Sequence, residues 1–242
     1  MNIIRTLLVS AFIILTLSSV ALADNAVLAS GGGYKKMVNA LNAAYKQRTG
    51  RSVDLIYGNM ARVTTQAKQS GKVDIVLGDR TFLTKAELPL ESELELGRGK
   101  LVLAFAKEST FSAVKDLDNP EAGRIALPDT QKAIYGKAAR QYLTTTKRLP
   151  GIKPRLVEVA TVPQVFSYLT TKEVDMGFMN LTHTLNVADK LGGYIILDEK
   201  DYSPIKIIAA PLKTREHTAE TADFLRFLET PEAKTIIRNN GL

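Results

Sequence analysis

The 242-residue chain has no cysteine and only two histidines. Without cysteine there can be no disulfide, thiolate metal site or cysteine nucleophile, a composition compatible with an oxidising compartment. The sequence also lacks a G-x-S-x-G elbow, an H-E-x-x-H pair and a Walker loop. His183, in "NLTHTL", and His217 are isolated, and a lone histidine is more often structural than catalytic. Glu91 and Glu93 lie in a polar stretch and read as a solvated surface. The chain is therefore read as a non-enzyme, with no catalytic residue and no cofactor. Clustered histidines, which a zinc site needs, are missing too. The formal net charge is +7, but the positive residues are spread out, and no long basic run or nucleic-acid motif occurs. Attraction to anions is the safer inference. No low-complexity segment and no repeat of solenoid length is present.

What is present begins with an export signal. Arg5 gives a short positive region, "LLVSAFIILTL" an apolar stretch, and Ala21-Leu22-Ala23 a small-x-small cleavage pattern. Residues 1–23 are expected to be removed after Ala23 and the remainder to reside in the periplasm. An uncleaved N-terminal anchor is the alternative, since the apolar run is nearly long enough to span. No later stretch approaches transmembrane length.

From residue 24 onward strands and helices alternate, as in α/β proteins with a mainly parallel sheet. "NAVLAS" is a strand. The helix after it carries Met37, Leu41, Ala44 and Tyr45 on one face and stops at Gly50. "SVDLIY", "VDIVLGD", "LVLAFAK", "RIAL", "PRLVEVA", "VDMGFMN", "GYIILDE" and "PIKIIAAPL" read as further strands. Two helices close the chain, the last capped by Thr230 with Pro231 in its first position.

Four strands run into helices through short loops of small or capping residues: Ser30 to Tyr34, Gly58 to Arg62, Pro128 to Lys132, and Ala160 to Pro163. In a parallel sheet such loops gather at the carboxyl ends of the strands, where open α/β folds bind ligands. Each helix start offers unpaired N–H donors and roughly half a positive charge. Several together would bind an anion without a metal, and glycines would let the backbone come close. Any one of these loops alone is more often only a turn.

With the export signal, these units resemble the periplasmic substrate-binding proteins of bacterial ABC importers, the molybdate-binding group in particular. The resemblance rests on "AAYKQRTG", "SGKVDIVLGD", "GRIALPDTQKAIYGKAARQYL", "EVDMGFM" and "FLRFLETPEAKTIIRNNGL". It implies a two-lobed α/β periplasmic-binding-protein fold of type II, with helices on both sheet faces and the ligand in the cleft between lobes. The first lobe would hold residues 24–103 and 207–242 and the second residues 104–206, with "LVLAFA" and "IKIIAA" crossing between them. The implied partners are a small anionic ligand and an ABC permease in the inner membrane, with the binding protein a monomer.

Carried onto this sequence, the family's ligand positions fall on Ser30, Gly32, Gly33 and Tyr34 in the first loop and on Asn59, Met60, Ala61 and Arg62 in the second. Gln131 and Lys132 follow in the third, Val162 in the fourth, and Met179 or Asn180 after the "GFM" strand. Several depart from the pattern. Gly33 stands where the group has a serine, the second loop lacks the group's run of serines, and Met179 stands in a tyrosine's place. Arg62, whose planar fork suits carboxylate or phosphate, widens the choice from a molybdate- or tungstate-like oxyanion to another oxyanion or a small carboxylate; its other reading is a solvated helix residue. Ferric-binding relatives use paired tyrosines, whereas Tyr34, Tyr57 and Tyr135 here are not adjacent. The same fold can also present a ligand to a receptor as a sensor or accessory protein.

Overall fold

A computed structural model describes residues 25–213 and 218–242. The expected export signal, its expected cleavage site at Ala23 and His217 lie outside the described residues. The chain forms two five-stranded sheets. The first runs in the order β2 (Asp54–Gly58), β1 (Val27–Gly31), β3 (Ile75–Asp79), β10 (Ile205–Pro211), β4 (Leu94–Gly99). The second runs β7 (Leu156–Val159), β6 (Ile125–Pro128), β8 (Met176–Asn180), β5 (Leu101–Phe105), β9 (Gly193–Ile196).

Each sheet is half parallel and half antiparallel, a correction to the mainly parallel expectation. β1 pairs in parallel with β2 and β3, and β6 with β7 and β8. β10 runs antiparallel to β3 and β4, and β5 to β8 and β9. The antiparallel strands are those that adjoin the crossings. The chain changes sheets at Lys100, between β4 and β5, and returns between β9 and β10. Leu101–Leu103, expected in the first lobe, thus pair in the second sheet, and Ile205 and Lys206 already pair in the first.

The helices follow from their apolar spacing. α1 (Lys35–Thr49) buries Met37, Val38, Leu41 and Tyr45 and ends where Gly50 adopts φ +74° and donates to the Lys46 carbonyl, a left-handed stop that suits glycine. α2 (Met60–Gln69) buries Met60, Val63, Thr64 and Ala67, and the short α3 (Arg80–Lys85) follows β3. In the second lobe α4 (Ile134–Thr145), α5 (Leu149–Ile152), α6 (Val162–Thr170) and α7 (Leu181–Leu185) surround the sheet. α8 (Thr218–Leu228) and α9 (Pro231–Asn239) return to the first lobe. There Tyr45 meets Phe224 edge-on at 5.1 Å and Phe227 at 5.4 Å. As expected, Thr230 caps α9 by accepting from the Ala233 amide.

Candidate functional site

The loops after β1, β2, β6 and β7 meet between the sheets. They enclose a cavity of about 30 Å³, where a single water needs roughly 10–15 Å³. Its wall is drawn from Gly31–Tyr34, Gly58–Met60, Ala133–Tyr135 and Thr161–Val162. The N-cap residues of four helices, Tyr34 of α1, Asn59 of α2, Ala133 of α4 and Thr161 of α6, all face this space. Only Asn59 caps its own helix, accepting from the Arg62 amide at 2.9 Å; α1, α4 and α6 have no side-chain cap. The first-turn N–H groups of a helix have no acceptor one turn back, so the starts leave positive dipole ends and some donors beside the cavity; α6 offers only the Val162 amide, because Pro163 has no N–H and Gln164 donates to the Thr161 carbonyl, and α1 is entered through a 3-10 turn, Gly32–Tyr34, in which Lys35 donates to the Gly32 carbonyl.

No charged side chain lines this space. Its polar groups are the hydroxyls of Tyr34, Tyr135 and Thr161, the Asn59 amide and backbone. Tyr34 and Tyr135 come from opposite lobes, and their hydroxyls lie 2.6 Å apart. Burial holds both phenols above their ordinary pKa, so both are neutral; one hydroxyl donates to the other, which leaves one proton of the pair for a ligand. The pair sits against Gly99 at the end of β4, where a Cβ would strike the Tyr135 oxygen and lie 3.1 Å from that of Tyr34.

Further contacts close the lobes over the cavity. The Ala61 amide donates to the Lys132 carbonyl at 3.1 Å. Asn180 Nδ2 donates to the Gly33 carbonyl at 3.2 Å, and Lys36 Nζ to the Asn186 carbonyl. Asn186 Nδ2 donates to Asn240 Oδ1 at 2.7 Å.

Of the residues singled out in the sequence, Gly32, Gly33, Tyr34, Asn59, Met60 and Val162 come together around the cavity. The others do not line it. Ser30 is fully buried, one residue before the strand position that does. Met179 is a core residue of β8, paired with Val102. Asn180 is fully buried behind the first loop, and its Oδ1 has no hydrogen-bond partner. Ala61, Arg62 and Lys132 line a separate, larger groove of about 520 Å³ outside the cavity, which shares only Asn59 with it. Gln131 is exposed, with its amide on Asp129 Oδ1. Sequence reasoning left Ala133, Ile134 and Tyr135 out of the ligand positions, because the third loop, expected to end at Lys132, runs on to Ala133 and α4 begins at Ile134. The signal was the spacing of Tyr135, Ala138, Ala139 and Tyr142, which marks the buried face of the helix.

The sequence matches the family of bacterial extracellular solute-binding proteins over residues 26–242. The molybdate-binding protein ModA of Rhodobacter capsulatus is 25% identical over 95% of this chain and 92% of its own. The fold superposes on the periplasmic molybdate-binding protein of Azotobacter vinelandii with a TM-score of 0.82 at 24% identity, covering 90% of this chain and 98% of that one. It also superposes on PEB3 of Campylobacter jejuni with L-phospholactate bound, with a TM-score of 0.70 at 16% identity and coverage of 90% and 98%.

Proposed function

The chain belongs to the bacterial extracellular solute-binding proteins, exported binding proteins rather than enzymes, and we propose that it captures one small oxyanion of the molybdate or tungstate class between its lobes. It then delivers the ion to an ABC permease in the inner membrane. The observation that carries this reading is the convergence of four helix N-caps, three without a side-chain cap, on one small cavity free of charged side chains. An ion held there is desolvated and met by fixed dipoles instead of a counter-charge. The one amide acceptor in the wall, Asn59 Oδ1, is occupied by the Arg62 amide. The donors left to a ligand are first-turn amides and the hydroxyls of Thr161 and of whichever tyrosine does not donate to the other, which suits a fully ionised oxyanion over one that must place its own proton. The Rhodobacter and Azotobacter relatives point the same way.

A second reading, another oxyanion or a small carboxylate, is favoured by one feature. The Arg62 guanidinium and Lys132 flank the groove beside Asn59, where they would meet a ligand too large for the cavity. On either reading the protein works as a monomer in the periplasm after cleavage at Ala23. Calorimetry with molybdate, tungstate, sulfate, phosphate and small carboxylates tests the proposal. Binding of a tetrahedral oxyanion at nanomolar to micromolar Kd, about −8 to −12 kcal/mol, is expected.

A further inference from the structure

His183 lies outside the wall of the first cavity. It stands in α7 of the second lobe, 8% exposed, with its ring edge-on to Phe166 of the same lobe at 5.5 Å. Its buried Nε2 has no hydrogen-bond partner. The Gly32–Tyr34 turn and α1 of the first lobe pack against α7, so closure covers the imidazole. Lys36 of α1 reaches over the boundary and places Nζ on the carbonyl of Asn186, three residues past His183. The charge around the ring is of one sign. Among the described residues packed against α7, β5, β8 and the segment 240–242 carry no charged side chain, and α6 and the turn bring only the phenols of Tyr168 and Tyr34. The other groups are cations, Lys35 and Lys36 at the near end of α1 and Lys100 at the crossing, whose carbonyl accepts from the Leu181 amide. An imidazolium formed there meets neither an acceptor for Nε2 nor a counter-charge. Burial first and Lys36 second hold the His183 pKa down, from 6.5 to about 4.

We propose that His183 is a proton-operated release switch: protonating it drives the lobes apart and weakens the hold on the anion between them. Opening takes the first lobe, with Lys36, away from the ring and lets water reach Nε2. The open state then accepts the proton and the closed state excludes it. Anion and proton act on one equilibrium in opposite directions, the anion favouring closure and the proton opening. Binding is therefore at full strength above the ordinary histidine range and falls as pH drops towards 4. With an imidazole at its ordinary value in the open state and near 4 in the closed one, binding is about 30-fold weaker at pH 5 than at pH 8. The switch acts on closure, so it serves whichever anion the first cavity takes.

The first test locks the lobes without any ligand. The chain has no cysteine, and Ala61 and Lys132 meet across the boundary through a 3.1 Å backbone hydrogen bond. Ala61→Cys/Lys132→Cys can then be cross-linked by oxidation and released by reduction. NMR follows the ring C2–H signals of the two histidines, that of His183 being the one lost in His183→Phe. Its titration midpoint should lie lower in the locked form than in the released form, by about one pH unit or more. The second test is calorimetry with molybdate at pH 8 and pH 6, where that ion stays fully ionised. Wild-type affinity should fall about fourfold at pH 6, and that of His183→Phe should hold. Equal midpoints in the locked and released forms, or a wild-type loss that His183→Phe keeps in full, overturns the proposal. The first test stands whether or not molybdate is the ligand, so its failure is distinct from a failure of the oxyanion reading.

Discussion

Replacing Gly33 by alanine sets a methyl group against the opposite lobe. A Cβ at Gly33 would lie 2.6 Å from Asn180 Oδ1, 3.1 Å from its Cγ and 3.2 Å from its Nδ2. Side-chain carbons essentially never come within 3.0 Å of such atoms, so the gap must open by at least 0.4 Å. Asn180 cannot step aside freely, because it is fully buried and its Nδ2 is tied to the Gly33 carbonyl. The overlap therefore acts on lobe closure. Overpacking of this kind costs about 1–3 kcal/mol, which corresponds to binding weakened about 5- to 150-fold. The empty protein can hold its lobes apart, so its melting temperature should stay near that of the wild type. Calorimetry with the preferred oxyanion measures the first quantity and scanning calorimetry of the empty protein the second. Asn180→Ala in the Gly33→Ala background should recover part of the loss, a coupling that a damaged turn would not show. Wild-type affinity in Gly33→Ala, or a loss with no coupling to Asn180, refutes the reasoning.

Three further outcomes follow. Tyr34→Phe or Tyr135→Phe leaves the partner hydroxyl buried and unpaired, at about 1–3 kcal/mol in ligand affinity; the double Phe variant should lose less than the sum of the two, as a double-mutant cycle will show. Arg62→Ala removes an exposed side chain outside the cavity and should change oxyanion affinity little, whereas Asn59→Ala removes the α2 cap and should cost about 1 kcal/mol of stability in thermal unfolding. Burial and, secondarily, Lys36 lower the His183 pKa from 6.5 to about 4, so the unfolded chain takes up this proton first as pH falls. The stability due to neutral His183 is complete above pH 6.5 and is lost towards pH 4, by up to about 3 kcal/mol; denaturation of His183→Phe across that range should lack this component.

Much of this architecture was legible before the fold was seen, because periodicity and punctuation act locally. The strand-loop-helix units, the Gly50 stop and the Thr230 cap depend on neighbours in sequence. The loops that converge were legible for the same reason. Side-chain direction was not. Ser30 and Gly31 are adjacent, yet only Gly31 faces the cavity, because successive strand residues point to opposite faces. The third loop runs past Lys132 to the Ala133 cap of α4, which exchanged Gln131 and Lys132 for Ala133, Ile134 and Tyr135. The Tyr34–Tyr135 contact joins residues 101 apart and depends on how the lobes meet, which no local pattern encodes. The antiparallel halves of the sheets were hidden likewise, since β5 and β10 read as ordinary apolar strands until the crossing fixes their direction.

The central claim is that four helix starts and neutral donors hold one small oxyanion between the lobes. A calorimetric titration of the wild-type protein with molybdate, repeated with tungstate, sulfate and phosphate, tests it most directly. One oxyanion should bind in the first cavity with a Kd between nanomolar and micromolar, and Gly33→Ala should weaken that binding while Arg62→Ala leaves it nearly unchanged. A protein that binds only a metal cation or a neutral solute, or whose oxyanion affinity depends on Arg62 and not on Gly33, would contradict the claim.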